Sequence, residues 1–123
     1  METKQHISLK NFNTFGVNVR AAFAANPRNE EQLRNLIDSP RFRENHFIIL
    51  GEGSNILFTD DFPGLIINID IRGINIINST DDAIEIEAGA GENWHRFVET
   101  CLRNKWYGLE NLALIPGTAG AAP

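Results

Sequence analysis

The run His46-Phe47-Ile48-Ile49-Leu50 passes without a break into Gly51-Glu52-Gly53-Ser54-Asn55. A short apolar run with no polar alternation predicts a strand buried on both faces, as parallel strands are. The glycines that follow demand a sharp turn at the strand's end. Gly51 and Gly53 lack Cβ atoms and can take positive φ, so successive backbone N–H groups can converge on an anion. Ser54 adds a hydroxyl donor and Asn55 an amide donor. A phosphate would repel the Glu52 carboxylate, so Glu52 is expected to point outward or to bond to something else.

Two familiar phosphate motifs do not fit. A Rossmann fingerprint needs a third glycine where this chain has Ile56, and then a helix. Ile56-Leu57-Phe58 is instead strand-like. A P-loop needs Gly-Lys-Ser or Gly-Lys-Thr, and neither tripeptide occurs. An amide-lined turn around a pyrophosphate and a plain turn between two strands both remain open. Charge narrows the partners. With 16 Asp and Glu against 11 Lys and Arg, the net charge is -5. Such a chain has no general attraction for nucleic acid, and no basic run offers a membrane patch. Any phosphate held here is held by backbone amides.

The other elements follow from periodicity and punctuation. Val17–Ala25 reads as a strand, and Ser8–Gly16 before it as irregular. Glu30–Ile37 reads as a helix with Leu33, Leu36 and Ile37 on one face, Asn29 as N-cap, and Ser39-Pro40 as its end. Asp60–Gly64 reads as a turn, and Leu65–Ile69, Ile74–Ile77 and Ala83–Ala88 as strands. Glu92–Asn104 is the clearest helix, with Trp94, Phe97, Val98, Cys101 and Leu102 at helical spacing. The fold class is α+β, a mixed α/β chain with short parallel pairing early on.

Leu114–Pro123 is small and loop-like; such residues let backbone approach a flat ring closely, and amides uncovered by side chains can bond to it. A flexible linker fits the same residues. The uncharged ending, Gly117–Pro123, predicts a chain cut short. Unpaired strand edges would then favour self-association. Cys101 cannot form an internal disulfide, which fits a reducing, cytoplasmic setting, and its place on the apolar stripe predicts an inert thiol. His6 and His46 have no partners at ligand spacing, so no metal site is expected. His95 reads as solvated or capping, and Trp106 and Tyr107 as packing at a helix end. No apolar run is long enough to span a bilayer.

Four ordered segments together resemble the UDP-N-acetylenolpyruvoylglucosamine reductases. Asn13-Thr14-Phe15-Gly16 is similar to that family's opening signature, and Leu50–Phe58 to its first flavin-binding loop. Gly89-Ala90-Gly91-Glu92-Asn93-Trp94-His95 resembles the start of its long helix. Gly108–Gly117 and Gly120-Ala121-Ala122-Pro123 resemble its second flavin-binding loop.

The resemblance implies the N-terminal part of an FAD-binding domain of the vanillyl-alcohol-oxidase (PCMH) type. Its first subdomain would cover about residues 1–70, and residues 71–123 would begin the second. It implies FAD as cofactor, NADPH as reductant and a UDP-sugar substrate reduced to UDP-N-acetylmuramate. That is a cytosolic step of peptidoglycan synthesis, and so of cell-wall biogenesis, cell shape and cell division. By position, Gly51, Glu52, Gly53, Ser54 and Asn55 would hold the FAD pyrophosphate. Ile115, Pro116 and Gly117 would lie by the isoalloxazine, with Gly120, Ala121 and Ala122 continuing that wall. The catalytic proton donor would lie beyond Pro123, so this chain alone would not turn over. Two alternatives stand: another flavin oxidoreductase of the same fold class, or a non-catalytic α/β interaction module.

Overall fold

The computed structural model describes residues 3–122. They form two compact units that meet in sequence between Asp70 and Ile71. The first contains strands β1 (Lys4–Ser8), β2 (Arg20–Ala25), β3 (Phe47–Leu50) and β4 (Phe62–Asn68), in the sheet order β1-β2-β4-β3. β4 runs parallel to both β2 and β3, and β1 runs antiparallel to β2. The mixed α+β class and the early parallel pairing expected from the sequence are therefore present.

β4 is the strand buried on both faces. Ile66 points into a cluster with Leu9, Val19, Ala21, Leu50 and Phe58, while Leu65 and Ile67 point the other way onto Ala25 and Leu36. Removing that much apolar surface from water is the main force holding the unit together. β3 is an edge strand instead, which corrects the expectation for residues 46–50. Leu50 is buried, but Phe47 and Ile49 are 44% and 59% exposed. The covering helices, α1 (Glu30–Ile37) and α2 (Pro40–Arg43), are too short to reach them all, although Phe42 stacks on Phe47 at 4.5 Å.

α1 starts where Asn29 Oδ1 accepts the Gln32 N–H at 2.9 Å. It presents less apolar surface than its pattern suggested, since Leu36 is buried but Ile37 lies 43% exposed. Ser39 both ends α1 and begins α2. Its hydroxyl donates to Leu36 O at 2.6 Å and accepts from Phe42 N, with Pro40 at the first helical position. Residues 56–58 belong to no strand, and Phe62 and Pro63 belong to β4 and not to the preceding turn.

The second unit is a hairpin and a helix. β5 (Ile74–Ser79) pairs antiparallel with β6 (Ile84–Ala88), and Thr80 N donates to Ala83 O at 2.8 Å to close the turn. A register shift between Ile76 and Asn78 accompanies exposure of both Ile76 and Ile77. Helix α3 (Trp94–Arg103) begins at Asn93, whose Oδ1 accepts from Arg96 N at 2.9 Å. Trp94, Phe97, Val98 and Cys101 are buried against Ile74 and Ile86, whereas Leu102 is 37% exposed. The helix ends in a Schellman turn. Lys105 takes φ 61°, its N–H donates to Leu102 O, and Trp106 N donates to Cys101 O at 2.8 Å. Trp106 packs on the core as expected, but Tyr107 turns out to solvent at 72% exposure. No helix is long and apolar enough to cross a membrane among the described residues.

Burial pushes the Cys101 thiol above its ordinary 9.0, and a backbone hydrogen bond offsets this only in part. The unfolded chain therefore releases this proton first. The stability tied to the neutral thiol is complete below about pH 9 and is lost as pH rises through the folded value. Urea midpoints of the native chain should fall more steeply above about pH 9 than those of Cys101→Ala. Parallel slopes would contradict the buried neutral thiol.

Candidate functional site

The carboxyl ends of β2, β4 and β3 lie side by side in the first unit, the edge of a parallel sheet at which ligands commonly bind. Two asparagines tie these ends together. Asn68, the last residue of β4, donates from Nδ2 to Leu50 O at 3.1 Å and to Gly51 O at 2.8 Å. Asn26, just past β2, donates from its own Nδ2 to Asn68 O at 2.7 Å and to Asn68 Oδ1 at 3.1 Å. Sequence reasoning missed both residues. Each is a lone Asn after an apolar strand, with no motif to mark it.

The turn over residues 51–55 is braced from its other side by the amino-terminal segment. Asn13 is 6% exposed and closes the chain around itself. Its Nδ2 donates to Leu9 O (2.7 Å) and Val17 O (3.1 Å), and its Oδ1 accepts from Val17 N (3.0 Å). Thr14 N then donates to Gly53 O at 3.1 Å. Gly53 is buried and takes φ +67°; a Cβ there would stand 2.0 Å from Phe12 O. Asn13 and Thr14 thus have a definite job that their position in an opening motif did not reveal. Glu52 is exposed.

A trans peptide unit points its C=O and the next N–H in opposite directions. With the carbonyls of Leu50, Gly51 and Gly53 bonded into the protein, the N–H groups of Gly51, Glu52 and Ser54 face the opposite way. No Lys or Arg lies between Gly51 and Asn55. An anion at this turn would meet backbone amides and no positive side chain of residues 51–55.

Ile115, Pro116, Gly117, Gly120, Ala121 and Ala122 fall in the second unit, where a short zipper fixes them to the start of α3. Trp94 N donates to Gly117 O (3.0 Å), Ala119 N to Glu92 O (2.8 Å) and Gly120 N to Ala90 O (3.0 Å). Ala121 N and Ala122 N bond back to Thr118 O and Ala119 O. The N–H groups of Gly120, Ala121 and Ala122 are thus committed within the chain. At residues 120–122 the amides are therefore not left uncovered, contrary to what the composition suggested. His95, which is half-buried, accepts the Leu114 N–H on Nδ1 at 3.1 Å and so positions the turn just before Ile115. Leu114 there takes φ 64°. Glu110 also supports this region; its exposed carboxylate is held below the usual range by the Gly108 N–H at 2.6 Å.

No group of three or more His, Cys, Asp or Glu that could hold a metal ion occurs among the described residues. A cleft of about 730 Å³ opens in the second unit between the hairpin turn and the end of α3, lined in part by Thr80, Ile84 and Trp106. It contains none of the residues expected to bind a cofactor.

The family model described as an FAD binding domain matches residues 21–123. The chain belongs to that FAD-binding-domain family. FAD is the cofactor of the family, and the match takes in both candidate stretches. The chain is 43% identical over 123 residues to a UDP-N-acetylenolpyruvoylglucosamine reductase of Chromobacterium violaceum, covering 100% of this chain and 36% of that protein. It is 49% identical over 116 residues to the enzyme of the same description from Burkholderia mallei, covering 94% of this chain and 33% of that one. The chain thus spans about a third of the length of these curated relatives. The crystal structure of UDP-N-acetylenolpyruvylglucosamine reductase (MurB) from Thermus caldophilus shares the fold, with a TM-score of 0.71 at 24% identity, over 98% of this chain and 40% of that one.

Gly53 and Gly16 share φ +67°, but nothing lies within 4 Å of a Cβ built at Gly16. Gly16→Ala should cost about 1 kcal/mol, the backbone strain alone. Gly53→Ala should cost about 2–4 kcal/mol, because Phe12 O must also move. Equal losses in urea denaturation would contradict the packing of the turn against residues 12–14.

Proposed function

We propose that this chain is the amino-terminal, cofactor-gripping part of a UDP-N-acetylenolpyruvoylglucosamine reductase. Gly51, Glu52, Gly53, Ser54 and Asn55 would hold the FAD pyrophosphate, chiefly through backbone N–H groups and the Ser54 hydroxyl. Ile115, Pro116 and Gly117 would pack beside the isoalloxazine, and Gly120, Ala121 and Ala122 would extend that wall. Bound FAD would carry hydride from NADPH to the enolpyruvyl ether of the UDP-sugar, giving UDP-N-acetylmuramate for peptidoglycan synthesis in the cytoplasm. The chain's own residues bind and orient, His95 by accepting the Leu114 N–H on Nδ1.

The observation that carries this reading is the bonding of the Leu50 and Gly51 carbonyls to Asn68 and of the Gly53 carbonyl to Thr14, which turns each following amide away from its own brace. The relatives named above make a flavin dinucleotide the natural occupant. FAD carries the pyrophosphate and riboflavin does not. The chain should quench FAD fluorescence on titration and bind riboflavin at least about tenfold more weakly, a difference of about 1.4 kcal/mol. Equal affinity for the two flavins, or none for FAD, would overturn the assignment of residues 51–55.

A further inference from the structure

We infer that Asn68 is the positioning residue of the cofactor turn, with Asn26 holding its carboxamide in orientation. The inference rests on residues 51–55 being the pyrophosphate grip. Pairing between β3 and β4 ends at Leu50 opposite Asn68. Past that point no sheet ladder fixes the chain, yet the amide directions are set here. The Asn68 side chain takes over from the ladder. Both hydrogens on its Nδ2 are spent, one on Leu50 O and one on Gly51 O. That fixes two successive peptide planes, and with them the N–H directions of Gly51 and Glu52.

The carboxamide has only one useful orientation. Turned over, its oxygen would face two carbonyl oxygens, and the Asn26 Nδ2 would lose its acceptor at 3.1 Å. Asn26 in turn is anchored to the main-chain oxygen of the same residue at 2.7 Å. Aspartate at position 68 would set a carboxylate against two carbonyls. Leucine would keep the shape and remove both donors, freeing the carbonyls to swing toward other partners.

Asn68→Leu, Asn68→Asp and Asn26→Ala, each checked for folding by circular dichroism, would be titrated with FAD and with riboflavin as full chains. Folded N68L should bind FAD about tenfold more weakly, while riboflavin affinity changes less than about twofold. N68D should match N68L at neutral pH and regain FAD affinity on acidification, because a protonated carboxyl supplies one donor. N26A should lose FAD affinity about threefold. The proposal is overturned if folded N68L keeps FAD affinity within about twofold, or if both flavins weaken equally. Should N68L not fold, unchanged FAD binding by N26A overturns it as well. A native chain that binds no FAD refutes the pyrophosphate reading itself, and that outcome is distinct because it appears before any substitution is made.

Discussion

Each peptide carbonyl that is bonded into the body of the first unit turns the next N–H outward. The candidate cofactor turn depends on this rigid coupling more than on any side chain within it. Leu50 and Gly51 give their carbonyls to Asn68, and Gly53 gives its own to Thr14. The turn is thus held from two sides, by the end of β4 and by the segment that Asn13 folds around itself. The cost of ordering five loop residues falls on the fold and not on the ligand, which is the physical meaning of preorganisation. A chain with net charge -5 gains particularly from this, since no positive field draws the phosphates in.

The two candidate stretches are bonded in opposite senses. Residues 51–55 have carbonyls bonded inward and donors turned out. Residues 119–122 have donors bonded inward, to Glu92, Ala90, Thr118 and Ala119. The first suits an anion and the second a flat apolar surface. The zipper between residues 90–94 and 117–120 also explains why Gly120 is small: a Cβ there would come within 2.7 Å of Ala90 Cβ. His95 contributes by the same economy, with an acceptor nitrogen for the amide of Leu114, a residue of positive φ.

Much of this was legible in the sequence where local rules decide the outcome. Asn29 caps α1 and Glu30–Ile37 is helical because cap, acidic first turn and breaker agree. α3 shows its buried stripe because the partner hairpin presents Ile74 and Ile86 to it. The failures came where tertiary pairing overrides local pattern. Lys4–Ser8 carries no strand pattern that the sequence reading picked out, but becomes β1 by pairing with β2 along the sheet edge. Ile56–Phe58 has strand composition, yet no strand takes it; Phe58 is buried in the core and Ile56 packs against it, while Leu57 faces out. His46–Leu50 is as apolar as a central strand but sits at the edge, since β4 occupies the middle. Asn26 and Asn68 could not be found by pattern, because their roles exist only once three strand ends are side by side.

The central claim is that amides, not cationic side chains, meet the phosphates. Amide proton shifts of the isotope-labelled chain, followed as FAD is added, address it residue by residue. The account predicts that the Gly51 and Ser54 amide protons move downfield, as new hydrogen bonds to an anionic oxygen require, while those of Ala121 and Ala122 keep their internal bonds. Unmoved amides at Gly51 and Ser54 in a chain saturated with FAD would contradict it.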